Sequence, residues 1–318
     1  MDLTPDPILI ALGPLPVYWY GLCYALGLVA AYWLIDREAR YHQLDTSVLA
    51  NGFIVVAIAA LIGGRLYHVI DQWQLYAGDP LKIILPPYTG LGVYGGIILG
   101  TIVGILYIRW KRQPLARWMD VIAPGLFVMQ AIGRWGNFFN QELYGPPTDL
   151  PWGIPIDCTH RVAPYACPPV GSTPIDAAFH PLFLYESLSG LLGAMVLVWL
   201  GRRYSHRLRP GDLFLAFLIW YAAVRLVLET LRVGNWTFQD VPVASLISIA
   251  LIVGASAILV LRHRRPAPTT AEIEAPLREA ADQEAAEAAA AAQRAEQELW
   301  DDLPPDPDKP IDRGLAPD

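Results

Sequence analysis

Long apolar runs separated by short polar connections dominate the first 265 residues of the chain. The runs span 17–35, 48–70, 91–108, 121–140, 181–200, 213–231 and 241–261. Each is near the ~20 residues that a helix needs to cross the hydrocarbon of a bilayer. The pattern predicts an all-α integral membrane protein with seven transmembrane helices. Three runs are irregular. The second is interrupted by Gly63-Gly64-Arg65, the third is rich in glycine, and the fourth turns polar in its second half.

The polar positions between the runs predict an orientation. Arg37 and Arg40 follow the first run, and Arg109, Lys111, Arg112 and Arg117 follow the third. Arg202, Arg203, Arg207 and Arg209 follow the fifth, and Arg262, Arg264 and Arg265 follow the seventh. The intervening connections hold only Lys82, Arg161 and Arg232. Lysine and arginine concentrate on the cytoplasmic side of a membrane protein. This alternation therefore predicts an external N-terminus and a cytoplasmic C-terminus, with the long connection 143–180 outside. The expected organisation is a membrane domain, 1–265, followed by an acidic tail, 266–318.

Composition adds little to this picture and corrects one impression. A mean hydropathy of +0.34 and 17% charged residues belong to a polytopic membrane protein. The net charge of −7 arises in the tail. Residues 1–265 are mildly basic, with the basic groups in short loops, which does not suggest a nucleic-acid partner. No basic segment with a small-residue cleavage site opens the chain, so the first run is expected to serve as the targeting signal. The Ala/Glu-rich part of the tail reads as a marginal helix followed by disorder. Cys23 lies in an apolar run. Cys158 and Cys167 share one connection and are either a disulfide, if that connection is external, or two unrelated thiols. No second ligand pair accompanies them to suggest zinc.

Candidate chemistry concentrates in Gly133-Arg134-Trp135-Gly136-Asn137-Phe138-Phe139-Asn140-Gln141-Glu142-Leu143-Tyr144-Gly145. Ionisable groups inside a membrane are costly and call for a use or a partner. The predicted orientation puts Trp19, Tyr20, Arg65, Tyr94, Arg134, Asn137, Asn140, Glu142, Arg225, Glu229 and Arg232 at one depth, toward the outer face. Tyr221, Arg225 and Glu229 fall on one helical face, with Arg232 near it, and Arg134, Asn137 and Gln141 fall on another. Arginine suits bidentate phosphate recognition, and a lipid headgroup is the phosphate available at that depth. Blander uses stand beside these. Arg225–Glu229 is also a plausible structural pair, Tyr20 an interfacial anchor, and Gly63-Gly64 and Gly95-Gly96 packing contacts. His68 is equally a satisfied boundary residue, and His180 a cap or headgroup contact.

The 133–145 motif resembles the signature of the bacterial prolipoprotein diacylglyceryl transferases. Other segments agree in order: Trp19-Tyr20-Gly21-Leu22, Gly64-Arg65-Leu66, Asp120 with Pro124, His180-Pro181 with Leu184-Tyr185-Glu186, and Tyr221 with Arg225, Glu229 and Arg232. The resemblance covers about residues 8–262 and leaves out the tail. It implies a seven-span enzyme of the bacterial inner membrane, active toward the outer leaflet. The enzyme would move diacylglyceryl from phosphatidylglycerol to the lipobox cysteine thiol of a preprolipoprotein signal peptide, leaving a thioether and releasing glycerol phosphate. Neither a cofactor nor a metal is implied.

On this reading the transfer is carried by Arg134, Arg225, Tyr20, Asn137, Glu142, Glu229 and Tyr94. Phosphatidylglycerol is bound by Arg134, Asn137, Asn140, Gly145, Arg65, Tyr221, Arg232 and His180. One position departs from the family. Tyr94 stands before the paired glycines Gly95-Gly96, where members often carry a histidine proposed as the base. Tyrosine, with a reference pKa near 10, is a poor base at neutral pH. The expectation is that Arg225 holds the thiolate, Arg134 offsets charge on the leaving phosphate, and Tyr94 donates one hydrogen bond. A headgroup-binding lipid transporter, a phospholipid-dependent transferase with another acceptor, and a membrane scaffold are the competing readings. A transporter needs polar groups continuing toward the cytoplasmic half, and runs five and six hold few there.

Overall fold

The computed structural model describes residues 5–12, 15–83, 90–264 and parts of a helical stretch between 278 and 297. Most of the acidic tail lies outside the described residues. Chain contacts divide the protein into Met1–Ala267 and Pro268–Asp318.

The apolar runs become α1 (Trp19–Tyr41), α2 (Ser47–Asp71), α3 (Val93–Trp110), α4 (Leu115–Phe139), α5 (Leu182–Arg203), α6 (Asp212–Glu229) and α7 (Val243–Arg264). α1, α5 and α7 outrun their apolar windows at the Arg-rich ends, where long basic side chains can cover apolar surface while their heads stay wet. α4 begins before its window, at Leu115, and continues through Pro124. α1 to α5 and α7 are long and apolar enough to cross a membrane. Their outer faces expose Val29, Ile70, Ile98 and Val253, as lipid contact requires. The protein is thus an all-α integral membrane protein. α6 falls short on composition alone because its 18 residues include Asp212, Arg225 and Glu229.

Among the described residues, three two-stranded antiparallel pieces decorate the helix ends. β1 (Ile8–Leu12) pairs with β2 (Leu15–Tyr18) ahead of α1. β3 (Ile154–Pro155) pairs with β4 (Ala178–Phe179) between α4 and α5. β5 (Thr237–Phe238) pairs with β6 (Val241–Pro242) ahead of α7. The last pair turns through Gln239 and Asp240 at φ 49° and 63°, the left-handed conformations that a two-residue hairpin needs.

α4 is the central element, packed against α1, α5 and α6, while α2 pairs with α3 and α6 with α7. The α2–α3 contact is backbone to backbone. A Cβ on Gly63 would stand 2.3 Å from the Gly95 carbonyl oxygen, and one on Gly95 would stand 2.1 Å from that of Gly63. These glycines therefore serve packing. One apolar cluster ties this pair to the rest through Ala31, Ile35 and Ala39 of α1, Val48 and Leu49 of α2, Tyr107 of α3, and Trp118 and Val121 of α4. All of these lie toward the end opposite the 133–145 motif.

Ion pairs and caps fasten the same end. Buried Glu38 of α1 pairs with Arg202 of α5. The carboxylate of Asp120 accepts from the Gly211 and Phe214 amides at 2.6 and 3.0 Å, capping α6 from α4. Asp212 faces His263 at 2.7 Å and Arg262 at 3.4 Å, joining α6 to α7.

The connection 143–180 has a small core of its own, built on Tyr144, Ile156 and Phe179. Arg161, unremarkable in the sequence, is buried at its centre. Its guanidinium donates to the carbonyls of Ile156, Pro174 and Ile175 at 2.8, 2.7 and 2.7 Å and lies 4.8 Å from the centre of the Phe179 ring. Cys158 and Cys167 are joined as a disulfide across a Cα separation of 5.5 Å, which resolves the alternative that their spacing left open.

Candidate active site

α4 ends where its sequence becomes polar, and the chain then turns sharply. Gln141 and Leu143 adopt φ of 52° and 59°, a region that non-glycine residues enter at a cost and keep only when surroundings hold them. The turn brings Glu142 back over the helix end, where its amide donates to the Asn137 carbonyl at 2.9 Å. The Glu142 carboxylate accepts from Asn137 Nδ2 at 2.9 Å and from Asn140 Nδ2 at 3.2 Å, both on Oε1. Asn137 Oδ1 faces Arg134 Nη1 at 3.5 Å. A guanidinium, an amide and a carboxylate are thus chained along one helix end.

A second chain of charges meets this one from α5 and α6. Glu186, buried in α5, lies 2.5 Å from Arg134 Nη2 and 3.8 Å from Arg225 Nη1, one carboxylate oxygen toward each. Arg225 Nη2 pairs with Glu229 at 2.7 Å, one turn along α6. Gln130 Nε2 adds a contact to Glu186 at 3.4 Å. Arg232 lies within electrostatic range of Arg225, Glu186, Glu229 and Arg134. In low-dielectric surroundings such charges persist only when compensated, and here arginines and carboxylates alternate across three helices. One donor stays unused: the buried Arg134 Nε has no hydrogen-bond partner among the described residues.

The remaining residues frame this cluster. Tyr20 packs against Gly136, where an added Cβ would come within 2.7 Å of its ring, so the glycine makes the contact possible. Tyr20 Oη reaches Tyr24 Oη at 3.4 Å. Tyr20 and Asn140 line an open groove with Pro7, Val17, Gly21 and Ala25. Tyr221, stacked on Phe217, lines a small cavity with Glu186, Arg225 and Gln130. Gly145 donates its amide to the His180 carbonyl at 2.9 Å. A side chain there would meet His180 and the Leu231 carbonyl at 3.1 Å. His180 Nδ1 faces Tyr185 Oη at 3.1 Å, and Trp152 Nε1 donates to the same hydroxyl at 2.9 Å.

Arg134, Asn137, Asn140, Glu142, Arg225 and Glu229 are therefore brought together, with Tyr20, Gly145, Tyr221, Arg232 and His180 around them. Arg65 and Tyr94 are placed on the α2–α3 pair. The Arg65 guanidinium donates to the carbonyls of Ile83, Gly90 and Lys82 at 3.0, 3.3 and 2.7 Å and sits 5.2 Å from the Tyr76 ring centre. It organises the connection between α2 and α3. Tyr94 is 67% exposed and lies beside Tyr67, their ring centres 6.0 Å apart. His68 packs over Gly90 and Tyr76 in the same connection. Glu186 was not among the expected site residues, although a lone carboxylate one turn into an apolar run is itself a signal.

The family model for prolipoprotein diacylglyceryl transferase matches residues 7–261. Curated relatives agree. A phosphatidylglycerol–prolipoprotein diacylglyceryl transferase of Chloroflexus aggregans is 36% identical over 280 residues, covering 82% of this chain and 91% of its own. The second such transferase of Streptomyces coelicolor is 38% identical over 275 residues, covering 84% of each chain. That of Cutibacterium acnes is 39% identical over 272 residues, covering 82% of this chain and 87% of its own. The chain belongs to the prolipoprotein diacylglyceryl transferase family.

Proposed function

We propose that this protein transfers the diacylglyceryl group of phosphatidylglycerol to the lipobox cysteine of a preprolipoprotein, the first step of lipoprotein maturation. The observation that carries the chemistry is the pair of arginines on α4 and α6, bridged by Glu186, with the buried Arg134 Nε left without a hydrogen-bond partner among the described residues. A phosphodiester is the anion that planar guanidinium forks suit.

In the reaction, the cysteine sulfur attacks the glycerol carbon that bears the phosphate. A carbon–sulfur bond forms as the carbon–oxygen bond breaks, and its electron pair leaves on glycerol phosphate. The proton lost by the thiol balances that taken up by the departing phosphate monoester. Arg134 stabilises the charge that develops on the leaving phosphate. Arg225 holds the incoming sulfur as thiolate, since a neighbouring cation lowers a thiol pKa from about 8.5. Glu142, tied to Asn137 and Asn140, and Glu229, paired with Arg225, keep these donors oriented. Tyr20 and Asn140 border the groove by which substrate reaches them, and Gly145, Tyr221, Arg232 and His180 complete the donor site.

The proposed setting is the bacterial inner membrane with seven crossings. α6 joins the other six because its charges pair with α5 and α7 and its N-terminal amides are capped by Asp120 of α4. The distribution of lysine and arginine puts the N-terminus outside and the C-terminus in the cytoplasm, so the site opens toward the outer leaflet. Tyr94 and Arg65 then act at the lipid-facing α2–α3 pair.

The decisive assay combines purified protein, phosphatidylglycerol and a lipobox peptide, with mass spectrometry of the peptide. A diacylglyceryl adduct on the cysteine is the expected result. A folded preparation that forms none removes the proposal. Tyr94→Phe is expected to keep at least about half of the parental turnover, because deleting one exposed hydroxyl removes at most a single modest hydrogen bond. A loss as deep as that of Arg225→Ala would instead place Tyr94 among the reacting groups.

A further inference from the structure

We infer that the disulfide-closed connection between α4 and α5 is a positioning strut for Glu142, acting through a reciprocal Asp157–Gln141 contact. The inference rests on the transfer reading above and adds to it a pair of residues that touch no reacting atom.

Gln141 separates two members of the site, Asn140 and Glu142, yet its side chain points away from both partners. Its Nε2 donates to Asp157 Oδ2 at 2.7 Å, and its Oε1 accepts from the Asp157 amide at 2.8 Å. Both ends of the Gln141 amide are therefore held by one residue, and the side chain is 4% exposed. Such a two-point contact fixes orientation as well as distance. Gln141 needs that hold. Its left-handed backbone, followed by that of Leu143, is the bend that returns Glu142 to Asn137, and a non-glycine residue does not keep such a conformation unaided.

The anchor is itself rigid. Asp157 immediately precedes Cys158, whose disulfide to Cys167 closes the segment. On its other side, the Ile156 carbonyl is held by the buried Arg161, which also fastens the carbonyls of Pro174 and Ile175. Leu143, at the far end of the bend, is held by the Phe183 amide of α5 at 3.1 Å. The Glu142 carboxylate thus sits between two fixed points, one on the connection and one on the next helix. The connection acts as a splint on the bend rather than as a passive link.

Asp157→Ala removes one half of the contact, whereas Asp157→Asn keeps an oxygen for Gln141 Nε2 together with the same backbone amide. Both variants and the parent are compared in the full-length protein for kcat, KM for phosphatidylglycerol, thermal midpoint, and amide hydrogen exchange of 140–145. Asp157→Ala is expected to lower kcat about tenfold with KM nearly unchanged, since a small misplacement of a site group costs that much or more. Exchange at 140–145 should rise while the midpoint holds, and Asp157→Asn should restore both readouts to within about twofold. Parental kcat in Asp157→Ala, unchanged exchange at 140–145, or a kcat loss matched by a fallen midpoint would each overturn the strut. The exchange readout needs no turnover. A parent that forms no adduct refutes the transferase reading, while faster exchange in Asp157→Ala would still establish the hold on the bend.

Discussion

Arg134→Lys is expected to lower turnover about a hundredfold, the scale on which loss of a preorganised donor to developing charge is felt. The substitution keeps the positive charge, so a site needing only a cation at this position would tolerate it. The geometry demands more. Arg134 addresses Glu186 through Nη2 and Asn137 through Nη1, and it leaves Nε buried and unused. A lysine ammonium carries three donors at one point and cannot span Glu186 and a phosphate while also facing Asn137. The ion pair with Glu186 should survive, so the variant should fold, and the loss should appear in adduct formation rather than in thermal midpoint. Turnover within a few-fold of the parent would withdraw Arg134 from the phosphate.

Glu186→Gln carries the second large effect, and it falls on stability as well as rate. The carboxylate is 4% exposed and addresses two guanidiniums from different helices, whose side chains are 25% and 19% exposed. Replacing it by an amide of the same shape leaves two arginines facing each other without their shared counter-charge. Removing one partner of a buried pair costs roughly 3–5 kcal/mol. Because Arg134 and Arg225 keep some exposure, a loss of about 3 kcal/mol is the expected size. The thermal midpoint should fall and adduct formation should largely disappear. A variant with parental midpoint and parental turnover would mean that the arginines do not need the carboxylate. High ionic strength should not rescue it, since mobile ions screen exposed charges far better than buried ones.

Much of this site was legible without coordinates, for a definable reason. Hydropathy locates crossings, and basic loops orient them, so each polar residue acquires a depth. Arg134, Asn137, Glu142, Arg225 and Glu229 share a predicted depth and are also brought together in the candidate site. Depth is one coordinate only. Arg65 and Tyr94 are predicted at the same depth but stand on α2 and α3, and which helix neighbours which is decided by contacts such as Gly63–Gly95. A hydropathy profile does not contain those contacts. Glu186 stands in the Leu184-Tyr185-Glu186 match, but no spacing rule assigns it a partner. Its run is otherwise apolar, and its partners lie 52 and 39 positions away in the chain, beyond any local spacing rule. The disulfide and the Arg161-centred core were illegible because they depend on how a Pro-rich connection folds back on itself.

The composition of α6 has a consequence for how the protein is made. A charged group near the middle of a crossing costs about 2.5–3.5 kcal/mol when a helix partitions alone into lipid, and α6 carries Arg225 and Glu229 in its second half. Synthesis proceeds from the N-terminus. By the time α6 leaves the ribosome, the Asp120 that caps it and the Glu186 that faces Arg225 have already been made. α7, with Arg262 and His263 for Asp212, follows directly. On the proposed seven-span arrangement, the sixth helix is thus delivered into a partly built bundle that already holds a counter-charge for it. On that arrangement, the contacts of Arg225 with Glu186 and of Asp212 with Arg262 and His263 offset the cost of placing α6 in the bilayer.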